Sequence, residues 1–110
     1  METLLECQGE LPIRTVLYWQ TVNPQKVLER GLPRMGGCIW LDGSASIRTA
    51  AFFQEYLDDP GNSGVLYFSQ NEVNNFVLEA HSAGLQVAVH AIGDRGIDQA
   101  LAAYRNALKR

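Results

Sequence analysis

The residues best suited to chemistry stand where apolar segments of the sequence end. His90 closes an alternating apolar run from Leu85, and Gly93 follows it. A neutral imidazole is the commonest nitrogen ligand of protein-bound metals, so His90 could bind a metal ion. The alternative is a histidine that is hydrogen-bonded or solvated at the end of a strand. Residue type and spacing alone favour that alternative.

Two aspartates, Asp42 and Asp94, lie close to the ends of these apolar segments. Asp42 follows a short apolar run and precedes Gly43, so it could contact a substrate or serve only the chemistry of an Asp-Gly turn. The two interpretations are evenly matched. Asp94 lies at the start of the last predicted helix and is most simply its N-cap, even if it also touches a ligand.

Three further side chains are candidates with a structural alternative. Arg48 could clamp a carboxylate or a carbonyl, although an arginine that fixes its own loop is the more common case. Cys38 lies inside a predicted strand, where a buried and inert thiol is the default. His81 stands near the C-terminal end of a predicted helix, where it suits the helix dipole, and we assign it a structural role.

The elements that position these residues alternate between strand and helix. Strands are predicted over Leu11 to Trp19, Gly36 to Ser44 and Leu85 to His90. One helix begins after Asn23 with Pro24 at its first position, a second follows a Ser69–Glu72 capping box, and the last begins near Asp94. The predicted fold class is therefore α/β, a parallel βαβαβα segment.

The helices carry apolar residues at helical spacing, and one connection is unusually long. The residues that share one face of the second helix are Val73, Phe76, Val77 and Ala80, and those at helical spacing in the last are Ile97, Leu101, Tyr104 and Leu108. Residues 45–68 form a long loop rich in turn residues. Such a loop in a compact α/β chain is more often functional than a plain link.

Bulk properties exclude several function classes. A net charge of −3 provides no basic surface for nucleic acid, and no apolar run is long enough to span a membrane. We therefore expect neither nucleic acid nor a membrane as a partner. The acidic N-terminus does not resemble a signal peptide, and two cysteines make no disulfide framework, so we expect a cytoplasmic setting.

Three parallel strands leave a sheet with two open edges. Most open doubly wound sheets and all closed barrels have more strands. We therefore predict a single partial domain over residues 1–110. We expect it either to form a homo-oligomer through those edges or to be part of a larger protein.

Two blocks of sequence resemble a known family. The segment WLDGSASIRTAAFFQEYLDDPGNSG, followed by AGLQVAVHAIGDRGIDQAL, closely resembles the amidohydrolase superfamily in its YtcJ-like, or amidohydrolase-3, group. That group includes N-substituted formamide deformylase. The resemblance implies about three strand-helix units of a (β/α)8 TIM barrel. It also implies metal-dependent hydrolysis of amide-type C–N bonds, typically with zinc, on a small-molecule substrate.

The resemblance extends to individual residues. It makes His90 a metal ligand at the end of the fifth barrel strand. Asp42, Arg48 and Asp94 then match active-site positions of the family and are the candidate catalytic residues. Cys38 replaces the lysine that family members carry in the fourth strand. A thiolate can bind zinc, although it cannot make the two-metal bridge of a carbamylated lysine.

The remaining metal ligands of the family have no counterpart in this chain. A catalytic zinc site needs about three protein ligands, and this sequence offers His90 and Cys38. We therefore expect no hydrolysis by the chain alone. Two other interpretations stay open: a truncated, self-associating α/β protein without activity, and a small ligand-binding module.

Overall fold

The computed structural model describes residues 2–109, with side chains from residue 4 onward. The predicted domain ends, Met1 and Arg110, lie outside the described residues. The elements in chain order are α1 (Glu2–Cys7), α2 (Pro24–Leu28), β1 (Arg34–Trp40), α3 (Gln70–Ser82), β2 (Gln86–His90) and α4 (Asp94–Leu108). A short 3₁₀ turn, Ala45–Ile47, opens the long loop.

The sheet contains β1 and β2 side by side in parallel. Arg34 pairs with Gln86 at one end and Trp40 with His90 at the other, with an irregular register between Gly36 and Trp40. Gly36 and Gly37 have φ angles of 93° and 82°, which side chains other than glycine rarely adopt. The glycine pair thus allows a bulge in β1 just before Cys38.

The predicted first strand is wrong as a strand. Over residues 11–19 a single residue, Trp19, forms a parallel bridge to Met35, and the Gly36 N–H donates to the Trp19 carbonyl at 2.8 Å. Ile13 and Val16 are exposed, so their β-branched side chains find no surface to pack on. Strand propensity depends on such packing, and the described sheet therefore has two strands where three were expected.

The predicted starts of α2 and α3 are confirmed. Asn23 Oδ1 accepts a hydrogen bond of 3.0 Å from the Gln25 N–H, and Pro24 is the first residue of α2. The capping box of α3 is complete: the Ser69 N–H donates to Glu72 Oε2 at 2.7 Å, and the Glu72 N–H donates to Ser69 Oγ at 3.3 Å. The four residues predicted to share one face of α3 are its buried residues.

The residues at helical spacing in α4 do not form its buried face. Ile97, Leu101 and Leu108 are 43%, 49% and 74% exposed, and Tyr104 is half-buried. The buried residues are instead small or amidic: Gly96, Gln99, Ala100, Ala103 and Ala107. Small side chains let α4 approach α3 closely, which leaves the larger side chains pointing outward.

The core lies on one face of the sheet, under the helices. Ile39 of β1 and Leu41, the residue just after β1, join it, whereas Cys38 and Trp40 project from the opposite face and are exposed. The core side chains are Val27, Met35, Ile39, Leu41, Val73, Phe76, Val77, Ala80, Leu85, Ala100, Ala103 and Ala107. The covered face and the open face together define a two-layer slab.

The slab is flat. Its extents are 50 × 37 × 17 Å, and its radius of gyration is 16.2 Å. A compact domain of this length has a radius of gyration of about 13 Å. Within residues 2–109, none of the helices combines the length and the apolar character that crossing a membrane requires.

Candidate functional site at the carboxyl ends of the strands

A pocket of about 290 Å³ opens where β1 and β2 end, on the face of the sheet without helices. In parallel α/β sheets this is the edge at which ligands bind. The structure brings both predicted metal-binding side chains, His90 and Cys38, to this pocket. The lining residues are Cys38, Trp40, Gly43, Ser44, Ile47, Thr49, Tyr67 and His90.

His90 is half-buried at the pocket, and its ring makes one long polar contact and one aromatic contact. Its Nε2 atom lies 3.5 Å from the Gly43 carbonyl oxygen, a long contact. Its ring lies 6.1 Å from the Trp40 ring, centroid to centroid, at an angle of 47°. A side chain with such weak contacts keeps a ring nitrogen available for a ligand.

Cys38 is exposed, so the prediction of a buried, inert thiol is wrong. The bulge at Gly36 and Gly37 precedes it, and its side chain lies on the open face of the sheet. The Trp40 indole N–H donates a hydrogen bond of 2.8 Å to its sulfur. The sulfur of Cys38 thus lines the same pocket as the His90 ring.

Asp42 lies behind the pocket and does not line it. Its side chain is fully buried, and its oxygens accept three backbone N–H groups: Ala51 at 2.8 Å, Ile92 at 2.9 Å and Gly93 at 2.7 Å. Hydrogen bonds to a charged acceptor are among the strongest in proteins. Asp42 therefore ties the end of β1 to the long loop and to the turn that follows His90.

Asp94 contacts the long loop, and Arg48 makes a contact within it. Asp94 is not the N-cap of α4, because Gly93 occupies that position; Asp94 Oδ1 instead accepts the Phe53 N–H at 2.9 Å. Arg48 adopts a left-handed backbone and forms a bidentate pair with Asp58, at 3.2 and 2.7 Å. The hydrogen bond and the opposite charge lower the pKa of Asp58 and raise the pKa of Arg48.

Arg95 also holds the long loop, a role that its sequence position alone did not predict. Its Nη2 donates to the carbonyls of Gly64 at 3.1 Å and Ser63 at 3.4 Å, two residues close to the C-terminal end of the loop. Its place in the block HAIGDR was the signal that could have identified it. Tyr56 makes a further hydrogen bond within the long loop: its hydroxyl donates to the Ala50 carbonyl at 2.8 Å. Burial raises the pKa of Tyr56.

His81 lies in the last turn of α3, as predicted. It is exposed and lines a different groove, together with Tyr104 and Leu108, away from the pocket at the strand ends. The two histidines of the chain therefore occupy separate environments, and only His90 belongs to the candidate site.

The donor atoms at the pocket fit part of a metal site. His90 and Cys38 line it, but the described residues contain no group of three His, Cys, Asp or Glu side chains that could hold a metal ion. A catalytic zinc needs about three protein ligands. The described part of the chain therefore does not form a complete metal centre by itself.

Residues 5–110 match the sequence profile of the amidohydrolase family, Amidohydro_3. The chain belongs to this family. It is 33% identical over 107 residues to Protein LONG AFTER FAR-RED 3 of Arabidopsis thaliana, a match that covers 88% of this chain and 18% of that protein. It is 37% identical over 63 residues to the putative amidohydrolase YtcJ of Bacillus subtilis, covering 57% of this chain and 12% of that protein.

Two solved structures of uncharacterized metal-dependent hydrolases resemble the fold of this chain. An uncharacterized metal-dependent hydrolase from Pyrococcus furiosus superposes with a TM-score of 0.77 at 31% identity, covering 97% of this chain and 25% of the other. A second such hydrolase, from Pyrococcus horikoshii OT3, gives 0.75 at 31% identity and covers 94% and 24%. The chain thus spans less than a fifth of these curated relatives and about a quarter of these structures.

Proposed function

We propose that this chain contributes one flank of the active site of a metal-dependent amidohydrolase that hydrolyses amide-type C–N bonds in small molecules. The observation that carries the proposal is the position of His90. In a chain of the amidohydrolase family, it lies at a pocket formed by the carboxyl ends of two parallel strands. Imidazole at such an edge is a common way to hold a catalytic metal.

The proposed architecture is a segment of a TIM barrel. Within the described residues β2 pairs with β1 alone, so its other edge is open to a further strand. The face that carries Cys38 and Trp40 is bare, whereas the opposite face is covered by helices, as in a barrel wall seen from inside. The flat shape also supports this proposal.

His90 would supply one ligand to a divalent metal, for which we propose zinc, and Cys38 would supply a second. Such a metal, when bound, lowers the pKa of a water molecule and polarises the amide carbonyl. Because the described residues hold no group of three ligands, further donors must come from outside them. The chain alone is therefore proposed to be inactive.

The three predicted catalytic residues are proposed to act by positioning. Asp42 fixes the turn after His90, and Asp94 fixes the loop at Phe53. Arg48 is engaged by Asp58 and does not line the pocket among the described residues. Their contacts with backbone and loop atoms support a role in holding the pocket rather than in touching the substrate.

Cobalt binding followed by NMR tests the assignment of His90. Paramagnetic Co²⁺ should broaden or shift the imidazole signals of His90 far more than those of His81, which is an internal control in the same chain. The His90→Ala variant should lose the site, and Cys38→Ser should weaken it if the thiol is a donor. Equal effects on both histidines would refute the proposal.

Activity measurements test the incompleteness of the site. With zinc present, the chain should release p-nitroaniline from p-nitroacetanilide no faster than zinc alone. Hydrolysis above that background, lost in His90→Ala, would show that copies of the chain complete the metal site between them. That result would contradict the proposed inactivity of the chain while supporting the assignment of His90.

We further propose a homo-oligomer in a cytoplasmic setting. The exposed apolar residues of α4 and the open edge of β2 support self-association. The two free thiols, Cys7 and Cys38, support a reducing compartment.

A further inference from the structure

One wall of the pocket beside His90 is apolar and aromatic. Trp40, Ile47 and Tyr67 line it and are 55%, 68% and 49% exposed, so their surfaces are available to a ligand. The pocket volume of about 290 Å³ lies just below the range of about 300–1,000 Å³ that is usual for small-molecule sites, so it suits a small substituent. Apolar side chains that stay exposed around a concave site are typical of ligand recognition.

Backbone hydrogen bonds hold this wall in place. The Ser44 N–H donates to Thr49 Oγ1 at 3.0 Å, and the Thr49 N–H donates to the Ser44 carbonyl at 3.0 Å, which closes the turn that carries Ile47. The Tyr67 N–H donates to the Leu41 carbonyl at 2.9 Å, which fixes the opposite end of the loop. A wall held in this way is organised before a ligand arrives.

Two charged side chains close in sequence to this wall, Arg48 and Asp42, are engaged in other contacts. Arg48, next to Ile47, pairs with Asp58, and the buried carboxylate of Asp42 is enclosed by backbone N–H groups. Of the eight described residues that line the pocket, none is Asp, Glu, Lys or Arg. Without a bound metal, a charged ligand group seated here would lose water and find no Asp, Glu, Lys or Arg of opposite charge in the lining.

We infer that Ile47, Tyr67 and Trp40 are specificity determinants that select a neutral, apolar substituent on the substrate at the site beside His90. The substrate class is then an amide with an uncharged ring or branched alkyl group, as opposed to one with a carboxylate or an ammonium group. The identification of the ligand as a substrate rests on the proposed function, whereas the binding preference itself requires no metal.

Three probes with the same ring and different charge test the inference: benzamide, benzoate and benzamidinium. NMR titrations of the full 110-residue chain without metal should show saturable shifts of the Ile47 methyl and Trp40 indole signals with benzamide. Benzoate and benzamidinium should bind at least about tenfold more weakly. Equal or tighter binding of either ion, or shifts centred on the groove around His81 and Leu108, would overturn the inference.

A matched pair of variants checks the location. Ile47→Asp should weaken benzamide binding by about tenfold or more, because it places a charge in the apolar wall. Leu57→Asp, at a fully exposed position in the same loop that does not line the pocket, should bind benzamide like the original chain. Ile47→Ala provides a milder variant that keeps the test valid if the aspartate disturbs the loop. Unchanged binding in both Ile47 variants would refute the assignment.

The outcomes for metal and for apolar probe are independent. Selective benzamide binding without any cobalt effect at His90 would keep the apolar site and refute the assignment of His90 as a metal ligand. A cobalt effect confined to His90, with no preference among the three probes, would keep the proposed function and refute the specificity assignment.

Discussion

The carboxylate of Asp42, just after β1, accepts a hydrogen bond of 2.7 Å from the backbone N–H of Gly93, just after β2. The two residues are 51 positions apart in sequence. The bond joins the ends of the two strands directly behind the pocket, and it lies three residues from His90. Asp42 thereby sets the path of the chain as it leaves the candidate metal ligand.

Replacing Asp42 should be the most damaging single change near the pocket. Asp42→Ala leaves three backbone N–H groups without their acceptor, and each buried donor left unpaired costs about 1–3 kcal/mol. We expect a loss of about 3–5 kcal/mol in the free energy of unfolding, measured by urea denaturation. Asp98→Asn, at an exposed position in α4, is the control and should change stability little. A loss below about 1 kcal/mol for Asp42→Ala would contradict the anchoring role.

Gly96 should not tolerate a side chain, although it lies inside a helix. A Cβ atom there would lie 2.8 Å from both Cγ and Oδ2 of Asp42. Alanine favours a helix by about 1 kcal/mol over glycine, but overpacking costs about 1–3 kcal/mol. We therefore expect Gly96→Ala to lower the thermal midpoint. Gly9→Ala, where a Cβ would meet nothing within 4 Å, should leave the midpoint unchanged. A higher thermal midpoint for Gly96→Ala would contradict this prediction and show that the Asp42 side chain can shift to make room for the Cβ atom.

The capping box of α3 should make stability depend on pH. The Ser69 hydroxyl, followed by the Ser69 backbone N–H, lowers the pKa of Glu72 below the ordinary value of 4.5. A lowered pKa in the folded state means that ionised Glu72 stabilises the fold above the ordinary value. This contribution disappears as pH falls through the lowered pKa.

Ser69→Ala should raise the pKa of Glu72 toward its ordinary value, measured from the carboxyl carbon signal in an NMR titration. The same substitution should reduce stability at neutral pH, and the difference from the original chain should shrink on acidification. Ser82→Ala, at the opposite end of α3, should leave the pKa of Glu72 unchanged. An unchanged pKa in Ser69→Ala would argue against the hydroxyl as its cause.

The outward face of α4 should contribute to the proposed self-association, together with the open edge of the sheet. Leu101 and Leu108 are 49% and 74% exposed on this helix, so glutamate at either position should weaken an apolar interface without entering the core. Sedimentation velocity over a dilution series should show smaller species for Leu101→Glu and Leu108→Glu than for the original chain. Leu57→Glu, on the long loop, should sediment like the original. A monomer at every concentration of the original chain would refute the proposed homo-oligomer.

Local features of this protein could be predicted from the sequence because short-range contacts decide them. The capping box at Ser69 and Glu72 and the Asn23 cap each involve groups two or three residues apart. The alternating run before His90 indicated its position at a strand end, and the structure has it there. Family membership was also visible in the two sequence blocks, and residues 5–110 confirm it.

Contacts between segments that are distant in sequence could not be predicted from local sequence patterns. The large apolar residues of α4 lie at helical spacing, but close packing on α3 buries Ala100, Ala103 and Ala107 instead. Residues 11–19 have strand-forming side chains, yet they pair at Trp19 alone because no packing surface covers Ile13 and Val16. Periodicity shows that a face exists, and the neighbouring element decides whether that face is buried.

The sequence by itself determined the family, the order of the two observed strands and their helices, and the placement of His90 at a strand end. The tertiary structure alone decided that Asp42 is an anchor behind the pocket, that Cys38 is exposed beside His90, and that Arg48 pairs with Asp58. The physical reason is distance along the chain. The hydrogen bonds of Asp42 reach residues as far as 51 positions away, and a bulge and a long loop orient the other two side chains.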